Sequence, residues 1–313
     1  MSIEEERVFI EGDVRLGATI AATDFEGQKP AIVLIMGTGS MDRDGNGKGM
    51  HTDMYKNFAW RFAEWGFVTI RYDKRGTHES GGKRPLYGFE DLVNDAVSVI
   101  RYTKSLPYVD ADRVIVFGHS EGGIIATVLS DSEDTAGLMI IGAAGMSLKD
   151  ALHYQNRELA EQAKDMKGLK GLLLRGASSE EKNNAKVDSM YAKCSATSKD
   201  KAFIKGGIIN AKWIREHGAY SADDMVAKLK SYGKPVLAIT GTKDLSADYR
   251  ELDRLRDLPN VECYAPEGVN HILREVDDEN SILKVRKQYV RLSKNPVHKE
   301  TEEKMHEWLS QFN

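Results

Sequence analysis

A chain of 313 residues with a formal net charge of −4, its basic and acidic residues interspersed, lacks the footprint of a nucleic-acid binder. Two cysteines, Cys194 and Cys263, are too few for a disulfide framework, and no apolar run approaches the roughly 18 residues of a membrane span. The acidic start, Met1 to Arg7, has no apolar core of a signal peptide, so a cytoplasmic protein is expected, about two domains long or one large α/β domain with an insertion.

Glu6 to Gly12 and Val14 to Thr23 read as two antiparallel strands that turn at Gly12-Asp13. Ala31 to Met36 is a fully apolar strand ending in Gly37-Thr38-Gly39-Ser40. After a polar loop, Tyr55, Phe58, Ala59, Phe62, Ala63 and Trp65 fall on one helical face. Phe67 to Tyr72 is the next strand, Asp73-Lys74-Arg75-Gly76 a turn, and Phe89 to Thr103 a helix. Val114 to Phe117 is a continuous apolar, β-rich run; a helix follows Gly118-His119-Ser120-Glu121-Gly122-Gly123, and Gly137 to Ala143 is another buried strand. This alternation predicts a mostly parallel, doubly wound sheet. Thr38, Asp73 and Ser120 then fall at the carboxyl ends of strands, where ligands gather in such sheets.

The composition changes after residue 147. From Leu148 to Ser231 no buried strand is evident. Lys/Glu-rich helical segments (Ala160 to Lys170, Ser179 to Ala192, Ala222 to Lys230) carry scattered large apolars, among them Met166, Leu172, Leu173, Tyr191, Phe203, Ile208 and Trp213. We read 148–231 as a helical cap inserted between core halves 1–147 and 232–313; the alternative is a helical excursion that never touches substrate. The sheet resumes with Pro235 to Thr240 and a Gly241-Thr242-Lys243-Asp244 turn. A helix over Tyr249 to Leu255, a strand over Val261 to Ala265, a loop to His271 and a helix over Lys299 to Gln311 complete the chain.

Gly118-x-Ser120-x-Gly122 between a strand and a helix is the pattern of a nucleophile held on a strained turn, with the helix N-terminus favouring developing negative charge. A serine hydroxyl needs a base within reach, and the base needs an anion to hold its tautomer. Asp244 and His271 each follow a strand, giving the chain order Ser120, Asp244, His271; Asp248 is the runner-up acid. His119 is expected to pack beneath the turn, and His51, His153, His217, His298 and His306 to lie at the surface. Two N–H donors for an oxyanion are expected from Glu121, just after the nucleophile, and from Thr38 in the Gly-rich loop. The Asp42-x-Asp44-x-Asn46-Gly47 spacing approaches a calcium loop but lacks its closing Glu and entering helix. Asp42, Arg43 and Asp44 are read instead as braces of the oxyanion loop.

These residues resemble the α/β-hydrolase superfamily, within its cap-bearing serine-esterase and acyl-hydrolase part. The resemblance rests on Gly37 to Asn46, Arg71 to Gly76, Gly118 to Gly123, and Gly241 to Asp244 with Asn270-His271. It implies hydrolysis of a small-molecule carboxylic ester through an acyl-enzyme, with Ser120, Asp244 and His271 as triad and Thr38 and Glu121 as oxyanion donors. No metal or organic cofactor is needed. Met36-Gly37 stands where the family usually has His-Gly, and His78 where Gly is frequent, so the loop at His78 is expected near the pocket. Met166, Tyr191 and Trp213 are the candidate pocket walls from the cap. An exopeptidase or thioesterase with the same triad, or a non-catalytic ligand receptor, are the alternatives, and a homodimer is compatible with the composition.

Overall fold

The fold is that of a computed structural model, which describes residues 2–83, 86–168, 179–204 and 206–313. Its strands are β1 (Glu4–Ile10), β2 (Leu16–Ala22), β3 (Lys29–Ile35), β4 (Val68–Tyr72), β5 (Val109–His119), β6 (Gly137–Ile141), β7 (Lys201–Ile204), β8 (Gly207–Asn210), β9 (Val236–Ile239) and β10 (Val261–Tyr264). Eight of them form one sheet in the order β1-β2-β4-β3-β5-β6-β9-β10. β1 and β2 pair antiparallel, as does β2 with β4, and every later neighbour is parallel.

The apolar runs read as strands because both faces of the sheet are covered. Along β3, Ala31, Val33 and Ile35 enter one core with Val114 and Val116 of β5, while Ile32 and Leu34 enter the other with Ile115 and Phe117. The first core is closed by α2 (Phe89–Lys104) and α3 (Glu121–Leu129), the second by α1 (Met54–Glu64) and the C-terminal helix Lys299–Leu309. Parallel register then sets the position of the site. Ile35 pairs with Gly118, His119 with Ile141, and Ile141 with Ile239, so the loops after β3, β5, β6 and β9 leave the sheet side by side.

Between β6 and β9 lie α4 (Leu148–Asp165), α5 (Glu180–Ser195), the β7–β8 hairpin, α6 (Ala211–His217) and α7 (Ala222–Tyr232). Ser147 caps α4, its side chain accepting from the Asp150 N–H while the Asp150 carboxylate accepts from the Ser147 N–H, so this helix starts well before Ala160. Lys170, Leu172 and Leu173 lie outside the described residues. Tyr191, Cys194, Ala211 and Ile214 make a small core of their own, whereas Met225 and Leu229 of α7 join the main core on the α3 side. Three elements were not expected: α6, the hairpin and α8 (Val285–Leu292). The hairpin has strands of only four residues, with Phe203 and Ile208 75% and 69% exposed, too short and open to show an alternating pattern. α8, which precedes α9 (Lys299–Leu309), buries only Gln288 and Leu292 and reads as a charged stretch. No described helix is long and apolar enough to cross a membrane.

Candidate active site

β5 delivers Ser120 at φ 55° and ψ −125°, a backbone conformation that β-carbon-bearing residues rarely adopt, with α3 starting at the next residue. The turn requires its glycines: a β-carbon at Gly122 would run into the Ile35 carbonyl of β3. Ser120 Oγ has no hydrogen-bond partner among the described residues and sits with His271 on the wall of one cavity.

His271 Nδ1 lies 2.7 Å from Asp244 Oδ2, and both residues are buried. The other carboxylate oxygen, Oδ1, accepts from the backbone N–H groups of Ser246 at 2.7 Å and Ala247 at 3.0 Å. The acid is thus fixed from one side by its own loop, and its other oxygen accepts from the histidine ring. Asp248 points elsewhere, engaged by Arg250 and by Arg157 of α4. The loop is braced from the insertion too, by Tyr154 Oη donating to the Asp244 carbonyl at 2.7 Å and Gln155 Nε2 to the Ser246 carbonyl at 3.1 Å. Gly142, at φ 64°, makes room for the imidazole, since a β-carbon there would lie 2.7 Å from the His271 ring.

The Gly37–Ser40 loop is held by residues distant in the chain. The Gly37 N–H donates to Tyr55 Oη at 2.8 Å, Tyr55 Oη lies 2.9 Å from His119 Nδ1, and His119 Nε2 donates to the His271 carbonyl at 3.0 Å. The carbonyl can only accept, which places the proton on Nε2 and leaves Nδ1 to accept from the tyrosine. Burial, then the nearby His271, lowers the His119 pKa to about 3, so the ring stays neutral in this chain of bonds. His119 does pack beneath the turn. Through it the loop after β3 is tied to the backbone of His271.

Lys74 Nζ donates to the Gly37 carbonyl at 2.7 Å and pairs with the buried Glu121 carboxylate. Glu121 also accepts from Trp213 Nε1 at 2.7 Å and lies 3.1 Å from His217 Nε2, both on α6 of the insertion. Burial opposes the charge on Glu121, but the Lys74 ammonium and the His217 hydrogen bond outweigh it and hold the carboxyl well below its ordinary range. His217 is therefore no surface residue. It is 2% exposed, wedged between Phe89 and Trp213, a burial that an isolated histidine in a helical stretch does not announce.

Two cavities meet at Ser120. The larger, about 610 Å³, is lined by Gly37 to Met41, Met50, Met54, Ser246, His271 and Tyr289, and reaches Lys48 and Arg286. The smaller, about 230 Å³, is walled mainly by Ile124, Met146, Leu148, Leu152 and Trp213, with Thr38, Ser120 and Glu121 at its inner end. The Thr38 N–H has no acceptor among the described residues, and Glu121 is the first residue of α3, ahead of the helical ladder. Of the candidate walls, Trp213 lines the smaller cavity. His78, Met166 and Tyr191 line neither: His78 is exposed and reaches the Ser40 carbonyl from outside, and Tyr191 is buried in the insertion's own core. Met166 and Tyr191 were inferred from residue type, which carries no direction, and His78 from its place in the loop after β4, which does not fix where the side chain points. Arg43 pairs with Asp73 and Glu79, and Asp44 with Arg71 of β4, so the loop after Ser40 is fastened at the end of β4; none of these pairs involves Gly37 to Ser40, which Tyr55 and Lys74 hold.

A strained serine between a β-strand and a helix, beside a histidine bonded to a buried aspartate, on a parallel sheet with antiparallel first strands, defines an α/β-hydrolase. The chain belongs to the family described as "Serine aminopeptidase, S33", whose model matches residues 45–261. It is 26% identical over 161 residues to esterase EstD of Thermotoga maritima, a match covering 50% of this chain and 37% of EstD. The esterase Pf2001 of Pyrococcus furiosus has a similar structure, with a TM-score of 0.57 at 16% identity over 99% of this chain and 93% of that one. Est1E from Butyrivibrio proteoclasticus, with ferulic acid bound, matches at a TM-score of 0.55 and 18% identity over 91% and 96% of the two chains. At these identities the two structures speak for the fold.

Proposed function

We propose that the protein is a serine hydrolase that cleaves carboxylic esters of small to medium size through an acyl-enzyme. The observation that carries this reading is the Asp244–His271 hydrogen bond in the wall of the cavity that holds Ser120. With Nδ1–H given to Asp244, His271 presents Nε2 as the base. It takes the Ser120 proton as Oγ attacks the ester carbonyl, and the Thr38 and Glu121 N–H groups receive the oxyanion. His271 then protonates the departing alcohol, and a water deprotonated by the same nitrogen releases the acid. His271 lines the larger cavity and not the smaller, so the alcohol leaves through the larger one and the acyl group occupies the apolar pocket beside Trp213.

An aminopeptidase needs a free carboxylate to anchor the substrate's ammonium. Among the described residues that line the two cavities the only carboxylate is Glu121, already matched by Lys74, Trp213 and His217. This favours esters over peptides. The test is turnover of 4-nitrophenyl esters from acetate upward beside an aminoacyl arylamide, with Ser120→Ala as control. Ester turnover with a short-chain optimum, lost in the variant, is expected; faster cleavage of the arylamide would overturn the reading.

A further inference from the structure

The larger cavity does not end at Arg286 and Lys48. Both residues also line an open cleft of about 630 Å³ with Lys287, Arg291 and Lys294, so a continuous groove leads from Ser120 to the surface between the 41–50 loop and α8. No Asp or Glu lines either part of it among the described residues. Arg291 is taken up by Asp277 and Asp278, but the side chains of Lys48, Arg286, Lys287 and Lys294 make no ion pair or hydrogen bond within the described residues. In a chain whose net charge is −4, the mouth of the active site is thus positive and uncompensated. Converging like charges repel one another unless a counter-charge joins them, and a cleft of one sign focuses its field on an incoming opposite charge.

We infer that this groove is an oxyanion subsite, and that the natural substrate is an ester whose alcohol portion carries a carboxylate or phosphate group bound by Arg286 and Lys48. The inference rests on the esterase reading for one point only: the alcohol lies on the side of His271, which must protonate it, and the cationic groove opens on that side. Arg286 supplies a planar fork suited to either oxyanion, and Lys48, from the opposite wall, a mobile point charge. The acyl group, in the apolar pocket, stays uncharged.

Matched butyrate esters separate the possibilities: one of an ω-hydroxy acid against that of the corresponding ω-hydroxy amide, and one of a phosphorylated diol against that of the diol. The wild-type protein is expected to favour the anionic member of at least one pair by about tenfold or more in kcat/KM, with added salt eroding that preference. Which pair shows it tells carboxylate from phosphate. Arg286→Glu and Lys48→Glu should each shrink or invert the ratio, and this ratio, unlike a bare rate, is insensitive to a general loss of fold. Protection of Ser120 from a neutral fluorophosphonate by the free hydroxy acid, against the hydroxy amide, reads the subsite without ester turnover. Turnover of neutral esters with ratios near one and no salt effect would overturn the subsite and leave the esterase reading standing. Absent ester turnover, with protection by the hydroxy acid that Arg286→Glu abolishes, would keep the subsite and remove the esterase reading.

Discussion

Two buried histidine–carboxylate pairs lie close together in this protein, and their surroundings give them opposite parts. His271 and Asp244 sit on loops after β10 and β9, the carboxylate held by neutral backbone donors, the ring opening on a cavity that contains Ser120. His217 and Glu121 bridge α6 and α3, and that carboxylate is saturated by a lysine and an indole as well. The imidazole of His217 is enclosed by Phe89 and Trp213, with Nδ1 buried and unpartnered. On the proposed mechanism, the same two functional groups make a base where one ring edge faces a cavity; where none does, they make a fastening between insertion and sheet.

The largest effect is expected at the first pair. Asp244→Asn should lower kcat by about four orders of magnitude through the wrong histidine tautomer, while thermal unfolding stays near that of the wild type. A variant with wild-type turnover would take Asp244 out of the mechanism. At the second pair the damage should appear in stability instead. Glu121→Gln strands the buried Lys74 ammonium, and urea titration should show a loss of about 3 kcal/mol or more. The Glu121 N–H is unaltered, so the folded fraction should retain most of the proposed ester turnover; a stable but inactive variant would place the carboxylate in the chemistry.

His119 sharpens the contrast through pH. Its native pKa is about 3, against roughly 6.5 in the unfolded chain, so the unfolded state binds the extra proton first. The contribution is fully present above pH 6.5 and is lost as pH falls toward 3, by roughly 1.4 kcal/mol per pH unit. Stability curves for His119→Gln should therefore be flatter over that window, and an unchanged slope would contradict the neutral ring. The smallest effect is expected at Asp248, whose two partners, Arg157 and Arg250, both keep their guanidinium groups partly in water: Asp248→Asn should cost within about 1 kcal/mol and spare turnover, checked by the same titration and an ester assay.

What was legible in the sequence was local. Val114 to Phe117 announced a buried strand, the glycines around Ser120 a tight turn, and residues following strands marked Asp244 and His271. What was not legible depends on residues far apart in the chain meeting. Tyr55, His119 and His271 form one hydrogen-bonded chain across more than 200 positions, and nothing near Tyr55 distinguishes it from any helix-face aromatic. Lys74 was legible only as part of a turn and Glu121 only for its backbone N–H; that the fold buries their side chains against each other was not. Size and apolarity suggested Met166, Tyr191 and Trp213 alike as pocket walls, and tertiary packing alone decides that Trp213 lines a cavity while Tyr191 is buried in the insertion's own core.

The central claim is that Ser120 is a nucleophile activated by the His271–Asp244 pair. Its most direct test is peptide mass spectrometry after reaction with a fluorophosphonate, comparing wild type with His271→Ala. A single adduct on Ser120, formed orders of magnitude more slowly in the variant, is the expected result. No adduct, an adduct on another residue, or equal rates in the two proteins would contradict it.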